Sequence, residues 1–306
     1  MKNFALTGVA GYIAPRHLKA IKETGSNLVA ALDPHDSVGI LDQFFPDTAF
    51  FTEFERFDRH IEMLKRKESD FKLDYVSICS PNNLHDAHIR FALRVGADAI
   101  CEKPLVLNPW NLDALEALEK EFQQKIYTVL QLRLHPSIIE LKKNLLTKNH
   151  KPETKHRVTL KYITSRGLWY NFSWKGDIQK SGGIATNIGI HFFDLLIWLF
   201  GDVEEFSLNL AMDNKMGGTL SLKNADVDWF LSIDPRDLPE EALKNNKRTY
   251  RSIKIDGKEI EFTEGFTDLH TEVYKNVLSG GGFGINDSRP SIELVQKIRE
   301  KAKKFK

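Results

Sequence analysis

The stretch from residue 4 to residue 33 restricts the fold more than any other part of the chain. A short apolar run, Phe4-Ala5-Leu6, breaks at Gly8-Val9-Ala10-Gly11-Tyr12-Ile13-Ala14. A helical pattern follows through Leu18 and Ile21, with Pro15 in the first turn, where its missing N–H costs nothing, and a breaker at Gly25. A second apolar run, Leu28 to Leu32, ends at Asp33. Strand, glycine loop, helix, strand and acid in that order predict a dinucleotide-binding βαβ unit, in which the loop and the helix N-terminus cradle a pyrophosphate. The loop departs from the usual spacing. With Gly11 as the second glycine and Ala14 as the small third residue, Val9 stands where the first glycine belongs, and Gly8 is left to supply the turn. Asp33 is expected to accept hydrogen bonds from the adenosine ribose and to repel a 2′-phosphate, which favours NAD over NADP; no arginine immediately follows it.

The alternation continues. Tyr75 to Cys79 reads as a strand ending at Ser80-Pro81, and a helix follows through Ile89, Ala92 and Leu93. Ala97 to Cys101 is the next strand, ending at Glu102-Lys103-Pro104, then a helix from Pro109 to Gln123 and an apolar run from Tyr127 to Leu132. Such alternation gives a parallel sheet, whose ligands lie beyond the C-terminal strand ends. Beyond residue 130 the pattern changes to extended segments, at 157–163, 206–212, 219–223, 226–233, 250–255 and 259–263, joined by turns such as Gly217-Gly218 and Asp256-Gly257. Helices are predicted over 187–200, 267–278 and 291–304. The predicted fold is an α/β Rossmann domain at 1–130 with a parallel sheet, plus an α+β domain at 131–306 with a large, mostly antiparallel open sheet.

Composition excludes several function classes. With 306 residues, 42% hydrophobic and 28% charged, the chain can build two ordinary cores. A net charge of +1 provides no field for sequence-independent nucleic-acid binding. Cys79 and Cys101 both lie in apolar runs and read as buried thiols of a reducing compartment. No apolar stretch is expected to reach the roughly 18 residues of a membrane span, and no signal-peptide pattern is read at the start, so a cytoplasmic protein is expected.

Two further segments carry candidate chemistry. Ser80-Pro81-Asn82-Asn83-Leu84-His85 and Glu102-Lys103-Pro104 both end parallel strands. Their plainer reading is a pair of proline turns, a helix-start histidine and a solvated Glu–Lys pair. Their shared position at one crevice favours function: a lysine there, partly desolvated beside a positive nicotinamide, would have a lowered pKa and could shuttle a proton. In Gly182-Gly183-Ile184-Ala185-Thr186-Asn187-Ile188-Gly189-Ile190-His191-Phe192-Phe193-Asp194, helical spacing places Asn187, His191 and Asp194 on one face. A lone histidine beside so apolar a run is more often a satisfied core residue than a catalyst, and no metal is expected, since no second His or Cys stands at ligand spacing.

The glycine loop, Ser-Pro-Asn-Asn-Leu-His, Glu-Lys-Pro and Gly-Gly-x4-Asn-x-Gly-x-His together resemble the Gfo/Idh/MocA oxidoreductases over essentially the whole chain. The blocks 165–170, 173–177, 186–194 and 265–274 resemble one branch, the WlbA/WbpB-like UDP-N-acetyl-glucosaminuronate 3-dehydrogenases of bacterial surface-polysaccharide (O-antigen, lipopolysaccharide) biosynthesis. The resemblance implies oxidation of the sugar C3 hydroxyl with NAD as acceptor, an aminotransferase acting next, and 2-oxoglutarate as a possible reoxidant of NADH. It implies Lys103 and His191 as catalytic residues, with Lys103 the principal base and His191 polarising the hydroxyl. It implies cofactor contacts from Gly8, Gly11, Tyr12, Ile13, Asp33, His35, Ser80, Pro81, Leu84, His85, Glu102, Lys103 and Gln131. Many relatives carry Asp at position 187; Asn187 cannot ionise, so a His–Asp relay from there is unavailable. Asp194 either orients His191 or is a structural helix residue.

The substrate's charge fits this reading. A UDP-linked uronic acid carries about three negative charges, which call for guanidinium and ammonium groups. Arg166, Lys175 and Lys180 precede the Gly182-Gly183 turn, and the interleaved Trp169, Tyr170 and Trp174 can stack on a sugar or uracil; the plainer reading is a surface loop with core aromatics. Expected substrate contacts are Lys103, Arg166, Trp169, Lys175, Asn187 and His191. Two alternatives stay open: a relative acting on a free sugar or polyol, and a non-catalytic dinucleotide-binding regulator. The resemblance further implies a homo-oligomer, often a tetramer, in which alternating strands such as Val227-Asp228-Trp229-Phe230-Leu231 bury a second sheet face.

Overall fold

The structure, a computed structural model, describes residues 1–67, 70–147, 155–260 and 269–305. In chain order the first elements are β1 (Asn3–Thr7), α1 (Ala14–Glu23), β2 (Asn27–Leu32), α2 (Leu41–Phe44), β3 (Ala49–Phe51), α3 (Phe54–Lys67), β4 (Tyr75–Ile78), α4 (His85–Arg94), β5 (Asp98–Cys101), α5 (Pro109–Phe122) and β6 (Ile126–Thr128). There follow α6 (Pro136–Thr147), β7 (His156–Thr164), α7 (Trp169–Phe172), α8 (Ile178–Ser181), α9 (Ile190–Phe200), β8 (Val203–Ala211), β9 (Lys215–Leu222) and β10 (Ala225–Ser232). The last are α10 (Glu240–Lys244), β11 (Thr249–Ile255), β12 (Lys258–Glu259), α11 (Leu269–Leu278) and α12 (Ile285–Ala302).

Two compact units result. The first comprises Met1–Gln131 together with Thr267–Ser288, and the second Leu132–Phe266 together with Arg289–Lys306. The chain leaves the first unit after Gln131, returns to it at Thr267–Ser288, and ends in the second. The chain returns to the first unit because α11 has its own partners there: Tyr274 is fully buried and its ring stacks on Phe4 of β1 at 5.7 Å.

The first unit holds a six-stranded sheet in the order β3-β2-β1-β4-β5-β6, with every pairing parallel. The winding reverses between β1 and β4, which opens a crevice beyond their C-terminal ends. The glycine loop leaves β1 at that edge and Ser80-Pro81 leaves β4 beside it. Strand β3 is absent from the sequence reading because three half-buried residues, Ala49–Phe51, are too few to show a period; helix α3 was also not read. The run expected at 127–132 pairs only over Ile126–Thr128, then coils into a short 3-10 turn at Gln131–Leu134.

The second unit holds a six-stranded sheet in the order β12-β11-β7-β10-β9-β8. It is antiparallel except for the central β7–β10 pair, which is parallel. The expected turn at Gly217-Gly218 is not there: both glycines lie inside β9, and β8 and β9 are joined across residues 212–214. At Gly218 a Cβ would collide with the Ser207 carbonyl, close to where the β8–β9 register slips between Leu208 and Leu210. The glycine serves close backbone approach at a bulge. The expected strand at 259–263 is described only through β12 and residue 260, and the expected helix start at Thr267 lies outside the described residues. Helix α12 begins six residues before the expected Ser291 and runs through Pro290.

The helical run Ile178–Phe200 corrects a further expectation. An 18-residue window of it reaches a mean hydropathy of 1.5, apolar enough to cross a membrane, and 83% of that window is buried inside the protein. A helix that is apolar all round and packed on all sides is a core helix.

Candidate functional site: the strand ends of the first unit and the helical strap of the second

Gly8 makes the tight turn that the spacing left in question. Its φ is +84°, and a Cβ there would stand 2.5 Å from the Ser80 nitrogen and 2.6 Å from the Cys79 carbonyl. Only glycine lets the β1 loop lie against the end of β4. Its N–H donates to the Leu32 carbonyl at 2.7 Å, and Gly11 donates back to the Gly8 carbonyl at 3.0 Å. Ile13 precedes α1, whose first residue, Ala14, is fully buried, and Tyr12 is 84% exposed at the loop tip.

Asp33 is buried at the end of β2. Its carboxylate accepts from the Ala10 N–H at 3.0 Å and from the His35 N–H at 2.9 Å. It therefore holds the glycine loop as well as standing where a ribose would be read. Each carboxylate oxygen keeps a second lone pair for such a ligand.

Ser80 is gripped twice. Its hydroxyl meets Nδ1 of His88 at 2.9 Å, and its carbonyl meets Nε2 of His85 at 2.9 Å. Burial pushes the His88 ring down to about 4, so at neutral pH the ring is uncharged and shares a single proton with the Ser80 hydroxyl across this contact. The other nitrogen of His85, Nδ1, lies 2.7 Å from the Pro104 carbonyl, so this buried ring ties the end of β4 to the segment after β5. Burial lowers its pKa, and a neutral ring donates to one of the two carbonyls at a time. Pro81 and the part-exposed Leu84 flank it.

Glu102 is not the solvated residue of the plainer reading. Its Oε1 takes hydrogen bonds from Nε2 of His17 at 3.0 Å and Nε2 of His270 at 2.9 Å. Burial opposes its ionisation, and those two contacts hold its carboxyl well below the usual range. His17 Nδ1 meets the Tyr274 hydroxyl at 2.8 Å, which meets Ser77 Oγ at 2.6 Å. Among the described residues, His17, Glu102 and His270 form a trio with the spacing of metal ligands, and direct hydrogen bonds already span it. The sequence reading assigned no role to His17, and it took His270 and Tyr274 only as members of the block 265–274, because their partners lie far away in the chain.

A dinucleotide fits this end of the first unit. Gly8 turns the loop tightly against the end of β4, and Asp33 stands buried at the end of β2, where the ribose of such a ligand is read. Gln131, 8% exposed just past β6, has an amide oxygen with no partner. A buried polar atom left so is uncommon, and a ligand group or water would satisfy it. Lys103, part-exposed, follows Glu102 at the end of β5.

The second unit carries the other candidates. Asn187 lies in a π-helical turn, Ala185–Gly189, that precedes α9, in place of the regular helix expected from residue 187. Its Nδ2 donates to the Tyr170 hydroxyl at 2.9 Å, with both residues buried. His191 is half-buried in the first turn of α9. Asp194 carries a bidentate ion pair with Arg133, which supports the structural reading of that acid. Around α7, Lys175 lies over the rings of Trp174 at 4.9 Å and Trp169 at 5.6 Å. Burial, and Arg166 beside it, lower the Lys175 pKa. Arg166 itself is exposed, and Trp169 is 53% exposed, as a stacking platform would be.

A parallel nucleotide-type sheet with a glycine turn, an acid on β2 and a lysine at the end of β5, joined to a unit with a mixed sheet, defines a dinucleotide-dependent oxidoreductase of the two-domain kind. Residues 2–130 match the Gfo/Idh/MocA oxidoreductase family, NAD-binding Rossmann fold, and residues 154–227 match its C-terminal alpha/beta domain. The chain belongs to this family. It is similar to the WlbA (WbpB) dehydrogenase from Thermus thermophilus at 52% identity, covering 98% of this chain and 95% of that one. That enzyme has been solved with NAD and α-ketoglutarate (TM-score 0.93) and with NAD and UDP-GlcNAcA (TM-score 0.92). D-glucoside 3-dehydrogenase from Escherichia coli is 30% identical over 206 residues, 57% of this chain and 56% of that protein. The putative oxidoreductase YteT from Bacillus subtilis is 24% identical over 245 residues, 79% of this chain and 53% of that protein. The chain thus spans about half the length of these two curated relatives.

Proposed function

We propose that the protein oxidises the C3 hydroxyl of UDP-2-acetamido-2-deoxy-glucuronate to the 3-keto sugar, with NAD as acceptor and 2-oxoglutarate reoxidising the NADH. The observation that carries this reading is 52% identity over 98% of the chain to an enzyme solved with NAD together with either UDP-GlcNAcA or α-ketoglutarate. The basic and aromatic strap of Arg166, Trp169 and Lys175 supports it, because an anionic nucleotide sugar needs cations and a flat apolar surface.

When bound, NAD supplies the hydride acceptor. The loop at Gly8–Ala14 receives its pyrophosphate, and Asp33 reads the adenosine ribose. Lys103 takes the proton of the C3 hydroxyl, and His191 hydrogen-bonds that oxygen as its charge develops. Asn187, held by Tyr170, offers a neutral amide that orients or hydrogen-bonds a substrate group without ionising.

The 3-keto product suits a following transamination in surface-polysaccharide assembly. Two free, buried cysteines support a cytoplasmic setting. A homotetramer accords with strand β10, whose Val227, Trp229 and Leu231 are buried on one face while Phe230 on the other is only half-covered.

The test is incubation with UDP-GlcNAcA and 2-oxoglutarate, following the 3-keto sugar and 2-hydroxyglutarate by mass spectrometry. Both products are expected. No keto sugar, with efficient NAD reduction by a free glucoside or polyol, would replace this substrate with a free sugar and leave the family chemistry standing.

A further inference from the structure

We infer that His17 and His270 are positioning residues for the reaction, acting on Lys103 through Glu102. This rests on the reading of Lys103 as the base. The two oxygens of the Glu102 carboxylate have separate tasks. Oε1 is held by His17 Nε2 at 3.0 Å and His270 Nε2 at 2.9 Å, while Oε2 accepts from the backbone N–H of Lys103 at 3.3 Å. The carboxylate therefore ties the Lys103 peptide to two helices, since His17 belongs to α1 and His270 to α11.

The tie is stiff for physical reasons. His17 and His270 are 0% and 1% exposed and Glu102 7%, so neither water nor salt weakens the contacts. Burial keeps the Tyr274 hydroxyl protonated and the His17 ring neutral. With Nε2–H given to Glu102, His17 Nδ1 has only a lone pair to offer, and Tyr274, 2.8 Å away, donates to it. Ser77 on β4 completes the chain at 2.6 Å. On the other side of the lysine, His85 Nδ1 holds the Pro104 carbonyl at 2.7 Å. Lys103 is thus the half-exposed residue between two neighbours whose polar atoms are fixed by buried histidines.

A base displaced by about 1 Å loses on the order of a hundredfold in rate, which is what such a frame prevents. The arrangement also explains why a buried acid is needed beside the lysine. A glutamine at Glu102 could offer its carbonyl to both histidines only by turning its amide N–H towards the Lys103 N–H, which is itself a donor.

The test is a double-mutant cycle on turnover, with NAD affinity measured by equilibrium fluorescence quenching as a second readout. His270→Gln is expected to lower kcat about 10- to 100-fold while changing KM and the NAD dissociation constant less than about threefold. In a Lys103→Met background the same change is expected to have almost no effect, because the lysine through which it acts is gone. Full additivity of the two losses would show a general structural role and overturn the inference; so would wild-type kcat in His270→Gln. Tyr274→Phe keeps the ring that packs on Phe4 and removes only the donor to His17; it is expected to lower kcat several-fold, and serves if His270→Gln does not fold. Wild-type turnover in Lys103→Met alone would instead reject the reading of the lysine as base, whatever His270→Gln does.

Discussion

Arg133 meets the carboxylate of Asp194 with two nitrogens, Nε at 3.0 Å and a terminal nitrogen at 2.7 Å, and the two side chains are 5% and 4% exposed. Arg133 leaves the short turn after β6, and Asp194 lies on α9 one turn beyond His191. The pair anchors the helix that carries His191 and follows the turn of Asn187. A buried pair of this kind specifies geometry more than it adds stability, since desolvation offsets much of the attraction.

Breaking that pair on one side is therefore expected to be costly. Asp194→Asn should destabilise the protein by about 3–5 kcal/mol, because the guanidinium is left buried without its counter-charge. Arg133→Met with Asp194→Leu should cost much less. Denaturant unfolding of the three variants decides it; a double variant as unstable as the single one would show that the pair itself is stabilising.

Cofactor choice is expected to follow Asp33. Asp33→Ser should weaken NAD binding roughly 10- to 100-fold, the worth of a hydrogen bond to a charged group, and relax discrimination against NADP. Titration of both cofactors against both proteins is the measurement. Equal affinity of the unmutated protein for NAD and NADP would remove the role assigned to this carboxylate.

The glycine turn should tolerate no side chain. Gly8→Ala would place a methyl against the backbone of Cys79 and Ser80 at a φ of +84°. Strain of about 1–3 kcal/mol is expected, together with loss of NAD affinity as the loop is pushed away from β4. Calorimetry with and without NAD measures both effects, and unchanged NAD affinity would contradict the close approach.

Lys103→Met should lower turnover by about 10² to 10⁴ while NAD binds within a few-fold of normal. His191→Asn should cost less, since a hydrogen bond survives and only the ionisable ring is lost. A larger loss from His191→Asn than from Lys103→Met would reverse the two roles.

Acid sensitivity should trace in part to His88. Its folded pKa of about 4 lies below the ordinary 6.5. At pH values between these two, the unfolded chain binds a proton that the folded chain does not, so stability falls as pH drops from about 6.5 to about 4 and levels off below. The full effect is roughly 3 kcal/mol. His88→Gln should flatten this part of the curve in urea melts taken from pH 7 to pH 4; an unaltered slope would assign the sensitivity elsewhere.

The sequence alone determined what depends on local order. Strand, glycine loop, helix, strand and acid follow one another within residues 4–33, so the dinucleotide-type βαβ unit was legible from spacing, whereas Gly8 as the turn residue was settled by its φ of +84°. Buried alternating strands such as β10 were legible for the same reason, with Val227, Trp229 and Leu231 inside and Asp228 out. Tertiary structure decided whatever depends on residues far apart in the chain. Glu102 reads as a solvated neighbour of Lys103 until α1 and α11 deliver His17 and His270 to the same oxygen, 85 and 168 positions away. Asp194 shares a helix with His191, and nothing local shows that Arg133, 61 residues earlier, holds both its oxygens. Gly217-Gly218 has the composition of a turn yet lies within β9, where the β8 backbone at Ser207 approaches Gly218 too closely for a Cβ. Period and punctuation are properties of a segment, whereas the partner of a buried charge is set by packing, which the fold alone supplies.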